Sequence, residues 1–156
     1  MDEMQSLIPE LQDWNNGKGV DVRSWIGALG KFQFMIAYST IFWPQWKIYK
    51  DMIVSVDASE ELIDRWLSEC KGDKKSVESV VNHLHIKDLH HAYNEDATHE
   101  RMIFLGNILK EMYQCKLKRD FPERTITVVF DSSPQEDILD YVLYMFQEHS
   151  APNQAL

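Results

Sequence analysis

At 156 residues the chain can bury a substantial core as one domain, and its 44% hydrophobic and 12% aromatic content excludes a disordered chain. A net charge of −9 excludes a general grip on nucleic-acid backbone, which needs a cationic surface, so nucleic acid is an unlikely partner. Cys70 and Cys115 share no CxxC spacing, which excludes a disulfide framework and a zinc ribbon.

Both cysteines read as free, buried thiols of a reducing compartment. The acidic start MDEMQSLIPELQDW has neither the basic nor the apolar region of a signal peptide, and no apolar run approaches a membrane span. A cytoplasmic protein without membrane contact is the expectation.

Leu7, Ile8, Leu11 and Trp14 recur at helical spacing and predict a first helix over Met4 to Asn15, with Pro9 tolerable only near its first turn. This helix reads as a peripheral arm over residues 1–15. Asn15-Asn16-Gly17 breaks the chain, and Asp21 then caps a short helix from Val22 to Leu29. Lys31 to Trp43 (KFQFMIAYSTIFW) is the most apolar stretch, ambiguous between helix and strand. Its length favours a helix to about Ile41, which Pro44 prevents from continuing. Trp46 to Val56 alternates and reads as a strand or hairpin with a turn at Lys50-Asp51.

Ser59 opens a helix to Cys70 with Leu62, Ile63, Trp66 and Leu67 inward, and another runs from about Lys75 to His83 over Val77, Val80 and Val81. The longest pattern spans Thr98 to Asp120, with Met102, Leu105, Leu109 and Met112 on one face. Asp96 or Thr98 caps it, Lys116, Lys118 and Arg119 complement its dipole, and Pro122 stops it. Thr125 to Phe130 (TITVVF) is the clearest strand, followed by a turn over Asp131 to Gln135. Leu139 to Phe146 is ambiguous, and alternation favours a strand pairing with TITVVF. The tail over 150–156 reads as frayed. The sum is a single α+β domain: several helices on a small, mostly antiparallel sheet, with one long central helix over about 98–120.

Five of the six histidines fall between positions 83 and 99. In an extended segment His83 and His85 point the same way, as two ligands of one divalent transition metal require, with Asp88, His90 or His99 to complete a set of three. Against this stands the absence of a zinc signature, so helix capping and solvent exposure account for them equally. Together with Arg119, His83 and His85 also form a candidate catalytic set, a proton shuttle beside a phosphate clamp. Arg119, Asp120 and Glu123 equally read as a surface ion-pair network.

The aromatic run Thr40 to Trp46 is core or interface anchor, with Trp46 the residue expected to stay partly exposed. Asp131, Glu136, Asp137 and Asp140 lie in a region without Lys or Arg after Arg124 and suit docking of a basic protein partner.

The blocks Thr40-Ile-Phe-Trp-Pro44, Asn82-His-Leu-His-Ile86 and Leu117-Lys-Arg-Asp-Phe-Pro-Glu-Arg124 resemble those of a family of small uncharacterised bacterial proteins, over about residues 15–148. The resemblance implies a stand-alone domain and carries over no catalytic residue.

Charge, aromatic content and the lack of a catalytic signature point to a non-enzymatic protein-binding module, most concretely an immunity-type or adaptor protein with an acidic face and no cofactor. The rival is a metal-dependent or His-based hydrolase centred on residues 83–91. A third reading is a homo-oligomer in which the N-terminal arm and the Trp43/Trp46 region meet across a symmetry axis.

Overall fold

A computed structural model describes residues 3–133 and 141–149, with Glu3 and residues 91–95 by backbone alone. The fold is α+β, and the chain divides into two compact units, residues up to Ile41 and from Phe42 onward.

In the first unit the expected helix over Met4 to Asn15 is broken. Helix α1 spans Glu3–Leu7, and Ile8 takes an extended φ of −129° ahead of a 3-10 turn over Pro9–Gln12. The cause is Pro9, whose ring disfavours helical geometry in the residue before it. The single turn α2 (Trp14–Gly17) contains Asn15 and Asn16 at φ 56° and 55°, a left-handed conformation that asparagine tolerates. Val20 N–H donates to the Leu11 carbonyl at 2.9 Å, closing the loop.

Helix α3 (Val22–Leu29) starts where the Asp21 carboxylate accepts the Ser24 N–H at 3.0 Å. Helix α4 (Phe32–Phe42) confirms the helical choice for the apolar run. Neither helix buries a residue, and Leu11 is the one buried hydrophobic side chain among the described residues of this unit.

The second unit opens with a hairpin, β1 (Trp46–Tyr49) against β2 (Met52–Ser55), with Tyr49 opposite Met52. Lys50 and Asp51 both have positive φ, as a two-residue primed turn requires. Helix α5 (Glu60–Glu69) is capped by Ser59, whose hydroxyl accepts the Leu62 N–H. Helix α6 (Lys74–Val81) stops two residues short of the expected His83, because the chain then turns into the short strand β3 (Leu84–His85). Successive 3-10 turns over Ile86–Asp96 lead to α7 (His99–Asp120), capped by Thr98. Strands β4 (Ile126–Asp131) and β5 (Val142–Gln147) pair antiparallel, as alternation indicated, and β5 is the centre of the order β3-β5-β4. Residues 134–140 and 150–156, including the end of the expected turn and the tail, lie outside the described residues.

Two cores result. Met52, Val54, Ala58, Ile63 and Val77 pack the hairpin on α5 and α6. Met102, Leu109, Tyr113 and Leu117 of α7 are buried, as are Val128, Phe130, Leu143 and Met145 of the sheet it contacts. The inward face of α7 corrects the expectation. Leu105 is exposed and Met112 half-buried, while Gly106 and Tyr113 are buried instead. Gly106 is the reason: a Cβ there would stand 2.1 Å from Phe130 Cζ, so the helix lies closest to the sheet along its glycine. The other correction is Cys115, which is exposed rather than buried, while Cys70 is half-buried.

Helix α6 joins the two cores through polar groups. The Glu78 carboxylate, fully removed from solvent, accepts from Ile53 N–H (2.6 Å), Gln147 N–H (2.8 Å) and Gln147 Nε2 (2.6 Å), and meets His149 Nε2 at 3.0 Å. One turn on, Asn82 accepts the Ser55 N–H and donates to the Ile53 carbonyl at 2.8 Å. These side chains satisfy the edge of β2 that β1 does not reach, a row of groups costly to bury unpaired. Replacing Glu78 by Ala is expected to cost at least about 3 kcal/mol, because several buried donors lose their acceptor at once. Glu78→Gln, which keeps one acceptor oxygen, loses less. Urea midpoints at unchanged m-value measure both.

Candidate functional site

Where α4 ends, Pro44 turns the chain into β1, and the indole of Trp43 meets the last turns of α7. Lys116 Nζ lies 5.6 Å from the Trp43 ring centroid and the Arg119 guanidinium 5.3 Å, both within cation–π range. Asp120 binds both cations, Lys116 Nζ at 2.5 Å and Arg119 Nε at 3.0 Å. Lys116 is the unexpected member. Its helix position predicted a solvated end of the dipole, yet the residue is only 2% exposed. Three residues after Trp43, the half-buried Trp46 stands edge-on to Tyr113, with centroids 5.5 Å apart. Burial pushes the Tyr113 phenol up to about 12.

The cluster is therefore a packed aromatic–cation seam, and Trp43 and Trp46 spend part of their surface on α7. Arg119, the proposed phosphate clamp, has Asp120 and the Trp43 ring as its neighbours.

The histidine stretch divides. His83 and His85 do meet, edge-on with centroids 5.0 Å apart. His83 Nδ1 bonds to the Val80 carbonyl, which only accepts, so Nδ1 carries the proton and Nε2 the lone pair of the neutral ring. Asp88 and His90 are exposed, and among the described residues no three His, Cys, Asp or Glu side chains form a group able to hold a metal. His99 instead bonds the hydroxyl of Tyr141 from the start of α7.

The acidic candidates also divide. Asp131 closes a turn, its carboxylate accepting the Ser133 N–H at 3.1 Å, and that bond holds the carboxyl below its usual value. Glu136, Asp137 and Asp140 lie outside the described residues.

A different acidic surface is visible on α5. Glu60, Glu61 and Glu69 are exposed, and among the described residues no ion pair engages them. Several cations elsewhere are matched: Lys50 to Asp64, Lys74 and Arg124 to Asp51, Lys75 to Glu148, Arg101 to Asp96. The sequence contained the signal for this surface, since at helical spacing Glu61 lies opposite Ile63 and Trp66, with Glu60 and Glu69 on its two flanks.

The chain matches no family model, no curated protein and no solved structure. Of the three sequence blocks, the first and third come together in the structure, at Trp43 and Arg119.

Asp120 and Asp51 are both held below the usual aspartate value of 3.8, Asp120 chiefly by its bond to Lys116 and Asp51 by its bond to Arg124. A folded-state carboxyl lowered in this way contributes stability that is complete above the unfolded value and is lost as pH falls through the folded one. Asp120→Asn and Asp51→Asn should therefore flatten the loss of stability below pH 3.8. Urea midpoints compared at neutral pH and at about pH 3 read the effect.

Proposed function

We propose that this protein is a binding module that meets a basic protein partner through acidic surface, an immunity-type or adaptor protein being the most concrete form. The observation that carries the proposal is the exposed carboxylates of α5 on a strongly acidic chain. Glu60, Glu61 and Glu69 present carboxylates to solvent along one helix with no ion pair to them among the described residues, while Lys50, Lys74, Lys75 and Arg124 are drawn into pairs within the fold. With a net charge of −9, the surface field steers cationic partners toward it and away from nucleic acid. The resemblance of three sequence blocks to small bacterial proteins suits a stand-alone module of this kind.

Affinity capture from a bacterial lysate at low salt should retain a partner with an isoelectric point above about 9. Glu60→Lys with Glu61→Lys and Glu69→Lys should weaken it at least about tenfold, and added salt should weaken it further. Retention of acidic proteins only, or binding indifferent to these reversals and to salt, sinks the proposal.

The His-based hydrolase is a second reading, favoured by the contact between the His83 and His85 rings. Elemental mass spectrometry of untagged protein purified without chelator tests its metal-dependent form. One equivalent of transition metal, lost in the His83→Ala, His85→Ala variant while the fold persists, supports it. Metal-free protein whose melting is indifferent to added zinc removes it.

A further inference from the structure

Helices of eight and eleven residues are too short to persist in water on their own, since isolated helices below about 12–15 residues are marginal. They need tertiary cover, and α3 and α4 bury none of their residues. The side chains left open are large: Ile26, Leu29, Phe34 and Met35, with Phe32 84% and Ile36 71% exposed. On α4 they point to every side, so no face of that helix is built for water.

Its polar groups agree. No charged residue occurs between Phe32 and Trp46, and the Ser39 and Thr40 hydroxyls donate to the Ile36 and Ala37 carbonyls of the same helix. Both hydroxyls are thus satisfied without solvent, the condition for placing them in an apolar contact.

We infer that the α3–α4 face is the interface with a second copy of this chain, an isologous contact in which the two helices of each protomer cover those of the other. Area supports this occupant. The six open side chains amount to roughly three and a half whole large side chains. That is on the order of 700 Å² of apolar surface at about 200 Å² each, close to the roughly 800 Å² that a standard interface takes from each partner.

Charge supports it as well. Residues 22–41 contain no carboxylate, and their two cations, Arg23 and Lys31, stand outside the uncharged run. The acids that give the chain its net charge of −9 lie elsewhere in the sequence, so the seam itself juxtaposes none. A basic partner of the kind proposed above would meet two cations and no acid here, so the interface is separate from that reading. A membrane surface fits poorly too, because a helix lying in the interface keeps a strongly polar face toward water and α4 has none. Closed two-fold pairs are the commonest solution for a self-complementary patch, and four helices give α4 the cover on several sides that it lacks.

The test is the mass of the full chain in solution by light scattering and sedimentation, from low micromolar to about 100 µM, well above a typical micromolar Kd. A particle of twice 18.4 kDa is expected. Phe32→Glu with Ile36→Glu should convert it to monomer, a shift in Kd of at least about a hundredfold. Because α3 and α4 contribute no buried residue, both variants should keep the cooperative melting of the second unit, while circular dichroism loses at most the helicity of α3 and α4 once their cover is gone. Phe32→Ser with Ile36→Ser, which adds no charge, is the second variant should the first misfold. A monomer at the highest concentration overturns the inference. So does a dimer that survives in either folded variant, or a monomer that instead sediments with anionic phospholipid vesicles.

Discussion

The buried carboxylate of Glu78 holds the second unit together. Burying a carboxylate costs several kcal/mol, and only several well-aimed donors offset it. Here the donors come from β2, from the backbone and side chain of the last residue of β5, and from His149 two residues beyond it. The hairpin and the three-stranded sheet share no strand, so without α6 they would be two small sheets with open edges. Gln147 extends the same network outward, its Nε2 also reaching the Asp51 carbonyl while its Oε1 accepts from Arg124. The tight turn of the hairpin is thereby fastened to the far end of β5, and Arg124 adds an ion pair to the Asp51 carboxylate at 2.6 Å. Polar contacts of this kind add direction to the cores they join, since each fails if the register shifts by one residue.

Helix α7 supplies the second constraint. Its glycine lets it lie against Phe130, and its last two turns gather a lysine, an arginine and an aspartate around Trp43. A tryptophan flanked by two cations is a common interface anchor, but here the cations are bound to Asp120 and the ring packs within its own unit. The surface left for partners is then of two kinds: exposed acids on α5, and exposed apolar residues on α3 and α4. They differ in charge and in chemistry. Among the described residues no helix is long and apolar enough to cross a membrane.

The amino-acid sequence by itself determined where most of the elements begin, end and pair. Caps at Asp21, Ser59 and Thr98, the breaks at Asn15-Asn16-Gly17 and Pro122, the turn at Lys50-Asp51 and the pairing of β4 with β5 are all local signals, readable over three to eight residues. Even the ambiguous run from Lys31 resolved on its length alone. Only the tertiary structure decided which polar residues are buried. Glu78 reads as one more acid on a short helix, and Lys116 as one more cation at a helix end; the groups that justify burying Glu78 lie 25 and 69 residues away in sequence. The same holds for the face of α7, which Gly106 and a phenylalanine from another element rotate away from the apparent stripe of leucine and methionine. It holds also for the histidines, whose spacing brought His83 to His85 but left Asp88 and His90 in solvent. Periodicity reports which side of an element is apolar; what that side meets depends on contacts between residues far apart in the chain, and those carry no local mark.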